Sequence, residues 1–130
     1  MLLHLKIIGI ILLALALLHG IFPRYFRWRE ELAGLSLMNR QMMTIHTFFI
    51  AVTVAGMGLL CLLAGEELLT TPLGKKIDIG FAFFWALRFG IQFFGYSSQL
   101  WRGKRFETIV HVVFTFLWAY LVTIFVLSYL

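Results

Sequence analysis

Two histidines, His46 and His111, are the residues whose type and spacing best suit a chemical task. Each lies about five residues inside a long apolar stretch, in residues 41–64 and 106–129 respectively. If both stretches are helices that start at one membrane face, the two imidazoles lie roughly 6–8 Å below that face. Imidazoles at one depth on two helices can ligate a haem iron from both sides. The pair therefore predicts a haem b site.

The same histidines also suit a non-haem metal ion. Glu107 and His111 are four residues apart, so on a helix they share one face and can bind one ion. His46, together with His19 at the end of the first apolar stretch, can complete the ligand set. With an open coordination position, such a site can activate water or oxygen. An ion pair between Glu107 and a nearby loop arginine explains the same spacing without a metal.

A third candidate site follows one face of the third apolar stretch. Arg88, Gln92 and Tyr96 recur at steps of four, which aligns them on a helix. An arginine near the middle of a span costs at least ~2.5 kcal/mol on insertion scales unless it is paired or hydrated. We therefore expect Arg88 to contact Glu107, another protein, an anionic ligand or the carbonyl of a quinone. Gln92 suits the same carbonyl, and a plain internal lock between helices is the remaining interpretation.

The composition explains why polar side chains are so informative here. The chain has 130 residues, of which 62% are hydrophobic and 13% charged, and its mean hydropathy is +0.94. Soluble domains carry about 25% charged residues, so a soluble enzyme and a disordered chain are both excluded. The net charge of +5 comes from basic residues between apolar stretches, which indicates a membrane surface rather than nucleic acid. Cys61 is the one cysteine and has no partner for an internal disulfide.

Four apolar stretches are long enough to cross a bilayer. A hydrocarbon core about 30 Å thick needs roughly 20 mostly apolar helical residues. The stretches that meet this requirement cover about residues 2–19, 41–64, 77–97 and 106–129. We expect the first to be a retained helix rather than a signal peptide. Between the first two lies a basic and aromatic segment, typical of chain at the level of the lipid head groups.

The basic residues also predict the orientation. Seven of them lie in the first and third connections: Arg24, Arg27, Arg29, Arg40, Arg102, Lys104 and Arg105. Three lie on the other side: Lys6, Lys75 and Lys76. Since cytoplasmic loops are enriched in Lys and Arg, loops 1–2 and 3–4 are predicted to be cytoplasmic and both termini outside.

Together these features predict an all-α integral membrane protein with a single transmembrane domain, residues 1–130. The expected fold is a four-helix transmembrane bundle of up-down topology, with a basic-aromatic interfacial loop between helices 1 and 2. Polar stripes in such a bundle face its interior; here they comprise Trp85, Arg88, Gln92, Tyr96 and Gln99 on the third helix, and Glu107, His111, Thr115 and Trp118 on the fourth.

The placement of His46 and His111 resembles that in four-helix membrane cytochromes of the b type, in architecture only. The resemblance implies a redox-type subunit that holds haem b, and a non-haem metal or a quinone in the His/Arg/Gln cluster is the alternative ligand. A second interpretation is a non-catalytic accessory or scaffold subunit without a cofactor. Its 14 phenylalanines suit extensive contact with other membrane-protein subunits or with copies of itself. The lipid bilayer is a predicted partner in both cases, and nucleic acid is not.

Overall fold

The computed structural model describes residues 1–94 and 103–130, and within these ranges the chain is helical with no β-strand. The helices are α1 (Leu2–Tyr25), α2 (Trp28–Glu31), α3 (Leu37–Leu63), α4 (Gly65–Thr70), α5 (Pro72–Phe94) and α6 (Arg105–Tyr129). Four of them, α1, α3, α5 and α6, are long and apolar enough to span a membrane. The prediction of an all-α membrane protein with four spanning helices is confirmed.

The first connection is more helical than the sequence predicted. α1 continues six residues beyond His19 to Tyr25, although Pro23 removes one backbone hydrogen bond near its end. The short helix α2 follows, and α3 begins at Leu37 rather than near residue 41. Helical continuation is favoured because backbone groups near the hydrocarbon must find hydrogen bonds within the chain. The predicted long loop is therefore reduced to two short links.

Local chemistry determines where these helices stop and start. Arg27 adopts the left-handed conformation (φ 55°), which separates α1 from α2, and its side chain forms an ion pair with Glu30. The hydroxyl of Ser36 accepts a hydrogen bond from the backbone N–H of Asn39 at 3.2 Å. Ser36 is thus the N-cap of α3.

The described chain divides into two compact units, and the first covers residues 3–65. Within it α1 and α3 approach each other closely at Gly9 and Gly58. A Cβ added to either glycine would lie 2.8 Å from the carbonyl oxygen of the other. Small residues allow helix backbones to pack this tightly in a membrane. The buried apolar side chains of this unit are Leu5, Ile8, Leu12, Leu15, Val54, Met57 and Cys61.

The second unit contains residues 66–130 with Met1–Leu2, and its core lies between α5 and α6. The two helices run antiparallel, because Gln92 near the end of α5 contacts His111 near the start of α6. At the other end, Lys75 contacts Ser128. Buried residues recur at steps of three, four or seven: Asp78, Ala82, Trp85 and Gln92 on α5, and Trp118, Leu121, Phe125 and Ser128 on α6. This spacing places one continuous face of each helix against the other.

A compact turn joins α4 to α5. The hydroxyl of Thr71 accepts a hydrogen bond from the backbone N–H of Gly74 at 2.9 Å and donates to the carbonyl oxygen of Glu67 at 2.7 Å. Pro72 follows as the first residue of α5, where its missing N–H does no harm. The turn brings the α4 backbone so near α5 that a Cβ on Gly74 would lie only 2.6 Å from the Cα of Leu68. Only glycine fits there.

Candidate functional site

The side chain of Gln92 joins α5 to α6 in a position that is only 6% exposed. Its Nε2 lies 3.0 Å from the carbonyl oxygen of His111, 3.2 Å from Nδ1 of the same residue and 3.3 Å from Oγ1 of Thr115. Two amide hydrogens therefore serve three acceptors. Gln92 and His111, both predicted as site residues, are brought together by the hairpin.

Trp118 fixes the orientation of this amide. Its indole N–H, which can only donate, lies 3.3 Å from Oε1 of Gln92. The carbonyl of His111 can only accept, so Nε2 of Gln92 must point towards His111. Nδ1 of His111 then faces this nitrogen, and a hydrogen bond between them is made by the neutral tautomer whose hydrogen lies on Nε2. Ligation of a metal by Nε2 of His111 requires the other tautomer, which cannot accept this hydrogen bond from Gln92.

An aromatic platform lies beside the amide. The rings of Trp85 and Trp118 stack with centroids 5.3 Å apart and planes inclined by 11°. The Cζ atom of Arg88 lies 4.9 Å from the Trp118 ring centroid, in cation–π geometry. Such a contact is worth about 2 kcal/mol when desolvated, so the indole offsets part of the penalty for a guanidinium inside a span.

A buried hydrogen-bond donor at this place lacks an acceptor. The Nε1 atom of Trp85 is buried and has no hydrogen-bond partner among the residues described. Arg88 adds guanidinium N–H groups to the same cluster, and a guanidinium, like an indole, can only donate. A ligand that suits the site must therefore bring acceptors, such as carbonyl or anionic oxygens.

His19 and His46, two of the three histidines of the first unit, have different surroundings. Nδ1 of His19 donates to the carbonyl oxygen of Leu15 at 2.7 Å, which leaves Nε2 of the neutral ring in the form that can ligate a metal. His46 lies exposed on α3. Because His46 and His111 belong to different units, the haem pair stays a prediction.

The remaining predicted residues fall at the edge of the described chain. Glu107 is exposed in the first turn of α6, and Tyr96 lies outside the described residues. In the ranges that the structure describes, no three His, Cys, Asp or Glu side chains are grouped to hold a metal ion.

Sequence reasoning missed one residue, Asp78. No role was assigned to Asp78 from the sequence, but the structure buries its side chain completely. The signal was present in the spacing, because Asp78 lies four residues before Ala82 and seven before Trp85 on the face that packs against α6.

We expect Gln92→Leu to destabilise the α5–α6 hairpin by about 1–2 kcal/mol, since side-chain hydrogen bonds within membranes contribute ~0.6 kcal/mol on average and up to ~1.7. Leucine fills similar volume, so the loss reports the hydrogen bonds and the N–H of Trp118 left without an acceptor. The measurement is reversible unfolding in mixed micelles. Gln41→Leu, at an exposed position of α3, is the matched control and should change stability by less than ~0.5 kcal/mol. Equal effects in the two variants would contradict the network.

The structure thus assembles Arg88, Gln92 and His111 around the stacked rings of Trp85 and Trp118. Comparisons of the chain with protein-family models, with curated proteins and with solved structures find no match.

Proposed function

We propose that this protein is a small membrane subunit that binds the head group of a quinone at the α5–α6 site. The observation that supports it is the buried N–H of Trp85, which has no acceptor among the described residues, within apolar helices that also place Arg88 over Trp118. A quinone carries two carbonyl acceptors and a flat ring, and it dissolves in the hydrocarbon from which such a site is reached.

Each side chain has a separate role in this proposal. Arg88, which is half-buried, donates to one quinone carbonyl from the face of Trp118. Gln92 already bonds His111 and Trp118, so it is a positioning residue that orients the imidazole. His111, with its hydrogen on Nε2, donates towards the second carbonyl. The proposal concerns binding; the two electrons and two protons that convert a quinone to a quinol come from a redox partner in the membrane.

Haem b between His46 and His111, and a non-haem metal held by His46, His111, Glu107 and His19, are the alternative redox proposals. The tautomer that Gln92 and Trp118 favour for His111 supports a hydrogen-bonding role over ligation. The absorption spectrum separates these ligands, because haem gives an intense Soret band and a quinone absorbs strongly only in the ultraviolet.

The accessory or scaffold function is the second candidate. Large aromatic side chains are exposed on the outer faces of the spanning helices, including Phe83 at 67% and Phe116 at 72%. Aromatic side chains on such faces suit contact with lipid and with further membrane subunits or a second copy. Copurification of a larger complex with a quinone-free chain would favour this function over the first.

We further propose that the connections 1–2 and 3–4 are cytoplasmic and both termini are outside, as the distribution of Lys and Arg favours. Single cysteines placed at Arg29 and at Lys76 in a Cys61→Ser background test this orientation. A membrane-impermeant maleimide applied to intact cells should label the second and spare the first. Labelling of the first alone would reverse the topology.

The decisive experiment is a titration of the full chain in lipid nanodiscs with a short-chain benzoquinone, followed by quenching of tryptophan fluorescence. We expect saturable quenching and a Kd at least ~10-fold higher in Arg88→Gln, because a lost charged hydrogen bond costs about 1.5–3 kcal/mol. Arg24→Gln, at an exposed position, is the matched control. Circular dichroism verifies that both variants fold. Non-saturable quenching, or equal affinity in both variants, would reject the proposal.

A further inference from the structure

A second polar site lies at the opposite end of the α5–α6 hairpin, around Asp78. Its side chain is 0% exposed, and neither carboxyl oxygen has a hydrogen-bond partner among the described residues. The hydroxyl of Ser128, on α6, is also buried and also has no hydrogen-bond partner among the described residues. Asp78 and Gln92 are fourteen residues apart on α5, or about 21 Å along the helix, so this site is separate from the proposed quinone site.

Lys75 is the charged neighbour of Asp78. It lies one turn earlier on α5, and its Nζ donates to the carbonyl oxygen of Ser128 at 2.7 Å. That carbonyl belongs to the last turn of α6, where backbone acceptors have no partner within the helix and the helix dipole attracts cations. Within the described residues, the ion pair is the one between Arg27 and Glu30. Lys75 therefore caps the end of α6 and does not form an ion pair with Asp78.

A carboxylate in this environment is unfavourable. Burying an ionised group without hydrogen bonds or a direct partner costs several kcal/mol, whereas a neutral carboxyl group loses much less on burial. The arrangement therefore suits a carboxyl group that carries a proton. Lys75 can reach the same carboxyl when the proton leaves, because residues three apart share a helix face and the lysine stem is flexible.

We propose that Asp78 is a proton-binding site in which Lys75 exchanges partners. In one state the Asp78 carboxyl group holds a proton and Lys75 caps the end of α6. In the other, the carboxyl O–H bond breaks, the proton passes to water at the nearby membrane surface, and the Lys75 ammonium leaves the Ser128 carbonyl to pair with the carboxylate. The negative charge left on the carboxylate is thus balanced by the positive charge of the lysine that moves towards it.

The other titratable groups near this end of the hairpin are exposed, so Lys75 is the partner that exchanges. On α5, Lys76 is exposed; on α4, Glu66 and Glu67 are exposed; on α6, Tyr129 is exposed. The charge that acts on Asp78 is that of Lys75. A metal cation does not suit the site, since it would be repelled by Lys75 and would find no three-ligand group among the described side chains.

Infrared spectroscopy of the full chain in lipid vesicles tests the proposal. A protonated carboxylic acid absorbs above the amide region, where carboxylates do not. We expect one such band at mildly acidic pH, where exposed carboxyl groups are still ionised, shifted in D₂O, lost in Asp78→Asn and retained in Glu107→Gln, the matched exposed acid. Absence of the band over this pH range, or its persistence in Asp78→Asn, would overturn the assignment.

The variant Lys75→Met tests the exchange of partners by Lys75. Without the ammonium the carboxylate loses the group that stabilises it, so the band should persist to a pH at least one unit higher than in the parent chain. Lys76→Met, one residue on and exposed, should leave the titration unchanged. A parental titration in Lys75→Met would refute the exchange, and this arm stands even if Asp78→Asn fails to fold.

Discussion

The variant Gly74→Ala is expected to lose about 3 kcal/mol of stability, the upper part of the range for overpacked sites. An added Cβ would overlap the carbonyl oxygen of Glu67 and lie 2.6 Å from the Cα of Leu68. Both obstacles are backbone atoms, so no side-chain rotation relieves them. The same carbonyl already accepts hydrogen bonds from the N–H and hydroxyl of Thr71, and therefore α4 must move away from α5 as a unit.

The same helix offers controls for Gly74→Ala. A Cβ at Gly80 or at Gly90 meets nothing within 4 Å. Alanine at either position should be neutral or stabilising by about 0.5–1 kcal/mol, because glycine within a helix is unfavourable by that amount. Unfolding in mixed micelles and the thermal midpoint of the three variants provide the comparison. A Gly74→Ala protein as stable as Gly80→Ala would show that the α4–α5 turn is not packed as described.

The membrane-spanning architecture was predictable because it depends on a few coarse quantities. Helix length, hydropathy and the spacing of basic residues suffice to locate four spans, and α6 matches its predicted bounds to within one residue. The ends near polar segments were less predictable. Whether α1 stops at His19 or continues to Tyr25 depends on a small balance between Pro23 and the interfacial environment, which periodicity does not capture.

Part of the α5–α6 site could likewise be predicted from the sequence. Steps of three or four place Arg88 and Gln92 on one face, and an antiparallel hairpin brings that face to His111. The orientation of the Gln92 amide was not predictable, since it depends on which atoms of Trp118 and His111 meet it. Asp78 was missed for a related reason: a charge near a span end is usually hydrated, and only packing against α6 reveals that it is buried.

The other large effect is expected from Trp118→Ala, at the centre of the α5–α6 contact. Trp118 is 5% exposed, stacks on Trp85, lies beneath Arg88 and donates its N–H to Gln92. Because the separated helices remain in lipid, the loss comes from packing and polar contacts rather than from transfer to water. Stacking at about 0.5–1.5 kcal/mol, the cation–π contact at about 2 kcal/mol and the ~0.6 kcal/mol hydrogen bond together predict a loss of about 3–4 kcal/mol.

Two further variants divide this loss into its parts. Trp118→Phe keeps a ring beneath Arg88 but removes the indole N–H, so it should cost about 1 kcal/mol and leave Oε1 of Gln92 without its donor. Phe116→Ala, on the outer face of α6 at 72% exposure, should change stability by less than ~0.5 kcal/mol. The measurement is again reversible unfolding, with the quinone titration repeated on each folded variant. If Trp118→Phe costs as much as Trp118→Ala, the indole N–H rather than the ring beneath Arg88 holds the hairpin together.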